Sequence, residues 1–185
     1  MGVKALKDKI VSPLFYYGKM VVLAALIVFI IRGFIFIPMT VKGNSMENSL
    51  HPDDQIVYEK ISKINRFDTV IFKGDDQQIY IKRVIGMPGE RLAFRDNQLY
   101  INNELMVETF WPNQELSDDS KRHTANFDTA ETLDGGKVPK DAYFVMGDNR
   151  LLSQDSRSIG TINEKNIIGK ARFVYYPLKH VGTIK

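Results

Sequence analysis

The sequence QIYIKRVIGMPGE, residues 78–90, joins a β-strand pattern to a tight turn and carries a lysine in the middle of the strand. Apolar residues alternate or run together over Gln78–Ile85, which is typical of a strand with a buried face. Met87–Glu90 then predicts a turn through its Pro-Gly pair. A period of two places Lys82 on the same strand face as Val84, where apolar neighbours can remove the amine from water.

Short runs rich in β-branched and aromatic residues recur after residue 40 and predict a mostly β domain. Turn residues separate these runs, and no long amphipathic helical pattern recurs. The predicted strands are Gln55–Tyr58, Thr69–Phe72, Gln78–Ile85, Arg91–Phe94, Gln98–Ile101, Ala142–Met146 and Ile168–Tyr176. Residues 103–140 are polar and lack this rhythm, so we expect a less regular excursion or a small subdomain there.

The apolar segment MVVLAALIVFIIRGFIFIPM, residues 20–39, contains a single charge, Arg32. A helix of this length, at about 1.5 Å per residue, reaches roughly 30 Å, so one transmembrane helix is expected. Lysines before it favour a cytoplasmic segment 1–19 and an extracytoplasmic domain 40–185 at the cell membrane. Two alternatives are a cleaved secretory signal, which lacks an A-x-A-like site here, and a buried helix, which lacks a polar face.

Composition excludes several classes of protein. The chain has 185 residues, 44% of them hydrophobic and 25% charged, enough for one domain and a short extra segment. Its net charge of +3 comes from scattered basic residues, which argues against a nucleic-acid partner. The absence of cysteine excludes disulfides and thiol catalysis, and three dispersed histidines give no metal-ligand spacing. No metal and no cofactor are therefore expected.

Ser45, in the segment Gly43–Met46 just past the apolar run, is a candidate nucleophile that needs a base. Neither a G-x-S-x-G elbow nor an S-x-x-K motif is present. His51 is the histidine nearest in sequence, but it lies in a segment with the composition of an exposed turn. A lysine can act instead if burial lowers its pKa from about 10.4 to about 8, a difference of roughly 3 kcal/mol. Lys82 is a hypothesis at this point, because a lysine on a strand is ordinarily solvated.

Four short segments occur together in one order along the chain. They are Gly43–Met46 followed by Leu50, Arg66–Phe72, Tyr80–Glu90, and Gly147–Arg150 continuing through Ser153 and Asp155–Arg157 to Gly160. With the apolar run, these segments resemble the type I signal peptidases, membrane-bound serine proteases that remove signal peptides from exported proteins. The resemblance spans nearly the whole chain. It departs at Asn48-Ser49, where the family usually has Pro-Thr, a difference that affects loop geometry rather than a reacting group.

The resemblance implies a fold and a mechanism. The fold is mostly β, a signal-peptidase-like and LexA-like domain of coiled antiparallel sheets, preceded by one N-terminal transmembrane helix. The mechanism is acyl transfer, with Ser45 as the nucleophile and Lys82 as the general base. The implied substrates are signal peptides of exported preproteins with small residues one and three positions before the cut, and the lipid bilayer is the implied second partner.

The resemblance also implies supporting roles within residues 147–160. Ser153 is expected to hydrogen-bond and orient the Lys82 amine, Asp155 and Arg157 to form a charge pair, and Asp148 to help hold the loop. Taken alone, this polar segment is a turn of a kind that is most often only structural.

Gly43 occupies the position where some members of the family carry an oxyanion-stabilising hydroxyl. The glycine resembles the Gram-positive members and leaves the second oxyanion donor to the backbone, beside the N–H of Ser45.

Two rival functions belong to other classes of protein. A self-cleaving regulator uses the same Ser-Lys chemistry, but such proteins are soluble and carry DNA-binding segments, whereas this chain has an apolar run. A catalytically silent, membrane-anchored binding paralogue would be expected to have lost Ser45 or Lys82, and both are present.

Overall fold

The computed structural model describes residues 15–29, 36–47, 49–110 and 124–184. The chain divides into two compact units, Met1–Ile37 and Pro38–Lys185. In the first unit, helix α1 covers residues 15–29, and every one of its residues is exposed. Within the described ranges, we find no helix that combines the length and the apolar character needed to cross a membrane.

The predicted transmembrane segment 20–39 is only partly described. Residues 1–14 of the predicted cytoplasmic segment and 30–35 of the predicted span, with Arg32, lie outside the described residues. The last three residues of the predicted helix belong instead to a strand, Ile37–Thr40, which corrects the helix boundary. Pro38 gives the reason, because proline disfavours a helical conformation at the residue before it and lacks the N–H that a helix interior uses.

The second unit is built from β-strands, as the sequence predicts. In chain order the strands are β1 (Ile37–Thr40), β2 (Gln55–Glu59), β3 (Thr69–Lys73), β4 (Ile79–Gly86), β5 (Leu92–Arg95), β6 (Gln98–Ile101), β7 (Glu104–Met106), β8 (Phe127–Asp128), β9 (Ala142–Met146), β10 (Ile162–Asn163), β11 (Ile167–Tyr176) and β12 (Gly182–Thr183). The larger sheet has the order β1-β2-β11-β3-β4-β9-β10, with β12 beside β11. Its strand pairs from β2 onward are antiparallel.

The smaller sheet has the order β7-β6-β5-β8 and accounts for part of the predicted excursion at residues 103–140. It begins with the β5–β6 hairpin, whose turn residues Asp96 and Asn97 both have positive φ, as a two-residue hairpin loop requires. Strands β7 and β8 and the short helix α2 (Thr129–Thr132) come from the excursion itself. Residues 111–123 lie outside the described residues.

Alternation along the central strands distributes the apolar side chains among separate clusters. One cluster joins the two sheets and includes Ile85, Phe94 and Phe144. A second lies under the loop that carries Ser45 and contains Ile81 with residues of β2 and β11. A third cluster contains Val84. Strand β4 therefore contributes to every cluster, and its central residues are buried on both sides.

Candidate active site

Lys82 lies in the middle of β4, a strand that is paired on one side with β3 and on the other with β9. Only 2% of its surface is exposed. Burial lowers the pKa of its amine from 10.5 to about 8, although the negative charges of Asp155 and Asp148 oppose the change. Among the described residues, the amine has no ion-pair partner within 4.0 Å. The amine is thus nearly dry and gives up its proton more readily than a surface lysine does.

Arg83, the next residue of β4, has the opposite environment. Its guanidinium donates two hydrogen bonds to the carboxylate of Asp148, at 2.8 and 2.6 Å, and both side chains are buried. A further bond of 2.7 Å goes to the carbonyl of Phe67, and one of 3.2 Å goes to the hydroxyl of Ser49. The ring of Phe110 lies 4.1 Å from the guanidinium carbon. Arg83 therefore joins β4 to the residues that follow Ser45 and to the start of the 147–157 segment.

The Ser45 loop, residues 43–50, is held by apolar anchors on either side of the serine. Gly43 has a φ of +75°, in the left-handed region that glycine adopts without strain. Met46 and Leu50 are fully buried in the same cluster as Ile81 of β4. Full burial of such a side chain contributes about 1.5–3 kcal/mol, so the two anchors hold the loop against the strand that carries Lys82.

The site loop, residues 147–157, contacts Ser45 and also Arg83, the neighbour of Lys82 on β4. The N–H of Asn149 donates to the carbonyl of Ser45 at 3.0 Å, while the neighbouring Asp148 binds Arg83. Gly147 permits this approach. A Cβ atom at that position would lie 2.5 Å from the Ser45 carbonyl oxygen and 2.2 Å from the Ser153 hydroxyl, closer than atoms can pack.

Asp155 and Arg157 form an ion pair, with Arg157 Nε and one terminal nitrogen each 2.8 Å from a carboxylate oxygen. Burial alone would raise the pKa of Asp155, but the hydrogen bonds and charge of Arg157 and the N–H of Gly147 lower it below its usual value. Asp155 is also the N-cap of the short helix α3 (Ser156–Ile159), accepting from Arg157 N–H at 3.3 Å. The carboxylate is therefore ionised, and its bonds to Gly147 N–H and Arg157 hold it in place within the site loop.

Ser153 corrects one expectation. Its hydroxyl is buried and makes no hydrogen bond within the described part of the chain, so the expected bond to the Lys82 amine is not made in this structure. The hydroxyl lies against Gly147, and it is close enough to Asp155 to contribute to the lowered pKa of that carboxylate. The position is adjacent to the site, but the contact to the amine is missing.

Two of the histidines lie closer together than their spacing in the sequence indicates. The sequence shows them as dispersed, yet the chain brings the rings of His51 and His180 into a stack with centroids 4.2 Å apart. Asp54 lies against both rings. This stack could not be predicted from the sequence because more than a hundred residues separate the two histidines.

Sequence reasoning missed several residues that shape the site. Arg83 gave no signal beyond its place on a predicted strand, and its pairing with Asp148 joins residues 65 positions apart. Arg150 is buried and ion-paired with Glu108, and it donates to the Gly147 carbonyl at 3.1 Å. These contacts tie the site loop to a segment beyond the smaller sheet. The polar segment Gly147–Gly160, which contains Arg150, was the sequence feature that could have indicated these contacts.

Known proteins resemble this chain along most of its length. The family described as signal peptidase, peptidase S26, matches residues 14–176. Signal peptidase I T of Bacillus subtilis strain 168 is 40% identical over 177 residues, covering 91% of this chain and 89% of that protein. A signal peptidase I of Bacillus amyloliquefaciens is 38% identical with the same coverage of both chains, 91% and 89%.

A solved structure gives the same result at the level of the fold. The crystal structure of a signal peptidase I from Enterococcus faecalis V583 is 35% identical and superposes with a TM-score of 0.52. The matched region covers 60% of this chain and 98% of the Enterococcus faecalis chain. The mostly antiparallel β architecture is thus that of a peptidase fold.

The fold and the matched sequence define a serine endopeptidase. The chain belongs to the signal peptidase family, peptidase S26, and its function is the removal of signal peptides from preproteins.

Proposed function

We propose that the peptidase works through a dyad of Ser45 and Lys82. The neutral Lys82 amine takes the proton of the Ser45 hydroxyl while the oxygen bonds to the scissile carbonyl carbon of the signal peptide. When the tetrahedral intermediate collapses, the lysine ammonium returns that proton to the departing amine. Water then attacks the resulting ester, with the same lysine as base, and releases the signal peptide.

The single observation that carries this assignment is the burial of Lys82 beside the Ser45 loop. The pKa of about 8 leaves a useful neutral fraction near physiological pH, which a surface lysine does not have. Two contacts support the position of the Ser45 loop against β4: Arg83 reaches the hydroxyl of Ser49, and Met46 and Leu50 pack in one cluster with Ile81.

We assign stabilisation of the oxyanion to hydrogen bonds from backbone N–H groups. Within the described residues, the N–H of Ser45 has no hydrogen-bond partner, so it is free to donate to the developing negative charge. Removing one such donor typically costs about 3 kcal/mol of transition-state stabilisation. Gly43 carries no side chain that could supply a second donor, so we assign that role to the backbone.

The supporting residues act through Lys82 rather than on the substrate. The carboxylates of Asp155 and Asp148 oppose the fall in the lysine pKa and keep it near 8 rather than lower, while Arg157 acts in the other direction.

We further propose the finer details of the substrate and its setting. The signal peptide lies extended along a strand edge, with small residues one and three positions before the cut. The single membrane anchor lies in the apolar segment before β1, the N-terminus is cytoplasmic, and the unit Pro38–Lys185 lies on the extracytoplasmic side. The run of lysines before the apolar segment supports this orientation.

The test compares the intact chain with three variants on a preprotein whose signal ends in Ala-x-Ala. Ser45→Ala and Lys82→Ala should each abolish cleavage. Lys73→Ala, which removes an exposed lysine from the neighbouring strand β3, is the matched control and should cleave normally. Cleavage by Lys82→Ala at the wild-type rate would refute the assigned base. No cleavage by the intact chain would favour the silent binding paralogue.

A further inference from the structure

Gly147 is held at both polar atoms of its backbone by charged side chains. Its N–H donates to the Asp155 carboxylate at 2.9 Å, and its carbonyl accepts from Arg150 Nε at 3.1 Å. The Ser45 carbonyl oxygen packs against this glycine, since a Cβ atom there would lie only 2.5 Å from it. The two side chains therefore fix the part of the site loop that determines how closely the loop approaches Ser45.

Arg150 is itself anchored by residues outside the site loop. Its guanidinium is ion-paired with Glu108 and donates to the Thr124 hydroxyl at 2.9 Å. The guanidinium carbon lies 5.4 Å from the centre of the Phe94 ring. The side chain of Arg150 is 1% exposed, and that of Glu108 is 13% exposed. A guanidinium keeps its proton, so burial of this kind requires a countercharge, and Glu108 supplies one.

Glu108 belongs to a part of the chain that provides none of the proposed reacting groups. It follows β7 of the smaller sheet and precedes Arg150 by 42 residues. The carbonyl of Arg150 also accepts from Arg157 at 2.7 Å, and Arg157 is paired with Asp155. The charges of Asp155 and Arg157 both act on the pKa of Lys82. Through one arginine, a carboxylate near the smaller sheet is thus connected to the charge pair that acts on the lysine.

We propose that Glu108 is a positioning residue of the peptidase, which holds the Arg150 guanidinium and through it the Gly147 carbonyl. The site loop then keeps the distance to Ser45 that the reaction requires. A displacement of about 1 Å can cost about a hundredfold in rate, so this contact affects kcat without touching the substrate. The role of Glu108 rests on the proposed dyad of Ser45 and Lys82, because the loop position matters to the rate only if Ser45 is the nucleophile.

The first experiment compares Glu108→Gln with the intact chain, both in detergent, on a preprotein whose signal ends in Ala-x-Ala. Glutamine keeps an oxygen that can accept from Arg150 but removes the charge that holds the guanidinium. We expect kcat to fall about tenfold while KM stays within about twofold of the wild-type value.

Glu59→Gln is the matched control. Glu59 is also a glutamate paired with an arginine, Arg172, and its side chain is 10% exposed. This pair joins β2 to β11 and includes no residue of the site loop. The control should therefore cleave with the wild-type kcat and KM. An equal loss of kcat in both variants would overturn the role of Glu108, and so would a rise in KM without a change in kcat.

Hydrogen exchange reports the loop position without catalysis. The Asn149 N–H donates to the Ser45 carbonyl at 3.0 Å, so its exchange rate measures the contact between the two loops. In Glu108→Gln this amide should exchange about tenfold faster, while the amides of β3 keep their wild-type rates. An unchanged rate at Asn149, or an equal increase at every amide, would show that Glu108 does not position the loop. Failure of the dyad is recognised separately, by cleavage with Lys82→Ala at the wild-type rate.

A double variant covers the case in which Glu108→Gln does not fold. Glu108→Leu combined with Arg150→Met removes both partners of the ion pair, so neither charge is left buried and unpaired. This variant should fold, which circular dichroism can verify, but its kcat should stay low because the Gly147 carbonyl has lost its donor. Recovery of the wild-type kcat in the double variant would show that the pair serves stability alone and would overturn the proposal.

Discussion

At the scale of single residues, the proposed mechanism depends on the protonation of the Lys82 amine. With a pKa of about 8, Lys82 is neutral in about one tenth of the molecules at pH 7 and in most of them above pH 9. We therefore predict that kcat/KM for a signal-peptide substrate rises about tenfold between pH 7 and pH 9.5. Initial rates across this range measure the effect.

The same profile distinguishes the lysine from a histidine base. A rise in kcat/KM centred near pH 6.5 in the intact chain, or a flat profile from pH 7 to 9.5, would contradict the assignment of Lys82 as the base. The His51→Gln variant should keep the rise in rate near pH 8, because the His51 ring stacks on His180 and is not part of the proposed dyad.

The stability of the fold should also carry the signature of Lys82. Its pKa in the folded state, about 8, lies below the unfolded value near 10.5, so the folded state binds fewer protons between these values and stability rises with pH through this window. Below pH 8 the folded state bears the full free-energy cost of burying the charged Lys82 amine. Lys82→Met removes that cost and should stabilise the chain at pH 7 by up to about 3 kcal/mol.

Urea unfolding of both chains measures this difference, which should shrink when the experiment is repeated near pH 10.5. The inactive variant would thus be the more stable one at neutral pH. An equal stability difference at both pH values would show that the amine is not desolvated in the folded state.

At the scale of elements, the site loop and the Ser45 loop meet across Gly147. Gly147→Ala places a Cβ atom against the Ser45 carbonyl and the Ser153 hydroxyl, and the backbone contact cannot be relieved by a side-chain rotation. We expect a loss of about 1–3 kcal/mol in stability and of about a hundredfold in kcat/KM, because small displacements of a nucleophile are costly.

The matched control for this variant is Gly182→Ala on β12, where an added Cβ meets nothing within 4 Å. It should unfold and cleave as the wild type does. Normal cleavage by Gly147→Ala would mean that the position of the Ser45 loop does not depend on the site loop.

The strands themselves could be predicted from the sequence wherever local pattern decides them. Ala142–Met146 is predicted with the bounds of β9, and Ile168–Tyr176 misses the start of β11 by one residue. By contrast, β1 was absorbed into the apolar run, because side-chain hydrophobicity alone does not distinguish a strand such as Ile37–Thr40 from a continuing helix. Strand β8 is two residues long and exists only because it pairs with β5.

At the scale of the whole molecule, the proposed catalytic residues all belong to the unit Pro38–Lys185. We predict that a chain beginning at Phe36, which keeps β1 intact, folds cooperatively and cleaves a short signal-peptide analogue with the same pH limb. Without residues 1–35 it should no longer sediment with lipid vesicles, whereas the full chain should. Circular dichroism and vesicle sedimentation test both statements, and sedimentation of the shortened chain would place the membrane contact elsewhere.

Contacts between distant residues are the part of the site that the sequence could not reveal. Ser45, Lys82 and the 147–160 segment were predicted because each lies in a recognisable local motif. The stack of His51 on His180, the Arg83–Asp148 pair and the Arg150–Glu108 pair depend on how strands are ordered in the sheets. Composition and spacing carry no information about that order for residues so far apart.

The two adjacent basic residues of β4 make its register energetically distinct from a register shifted by one residue. Lys82 and Arg83 point to opposite sides of the sheet, one toward a site that needs an uncharged group and one toward the Asp148 carboxylate. A slip of one residue against its neighbours would exchange them, and a guanidinium, which does not lose its proton, would enter the dry position. A shifted sheet would therefore bury an unpaired guanidinium charge, which disfavours that alignment relative to the observed one.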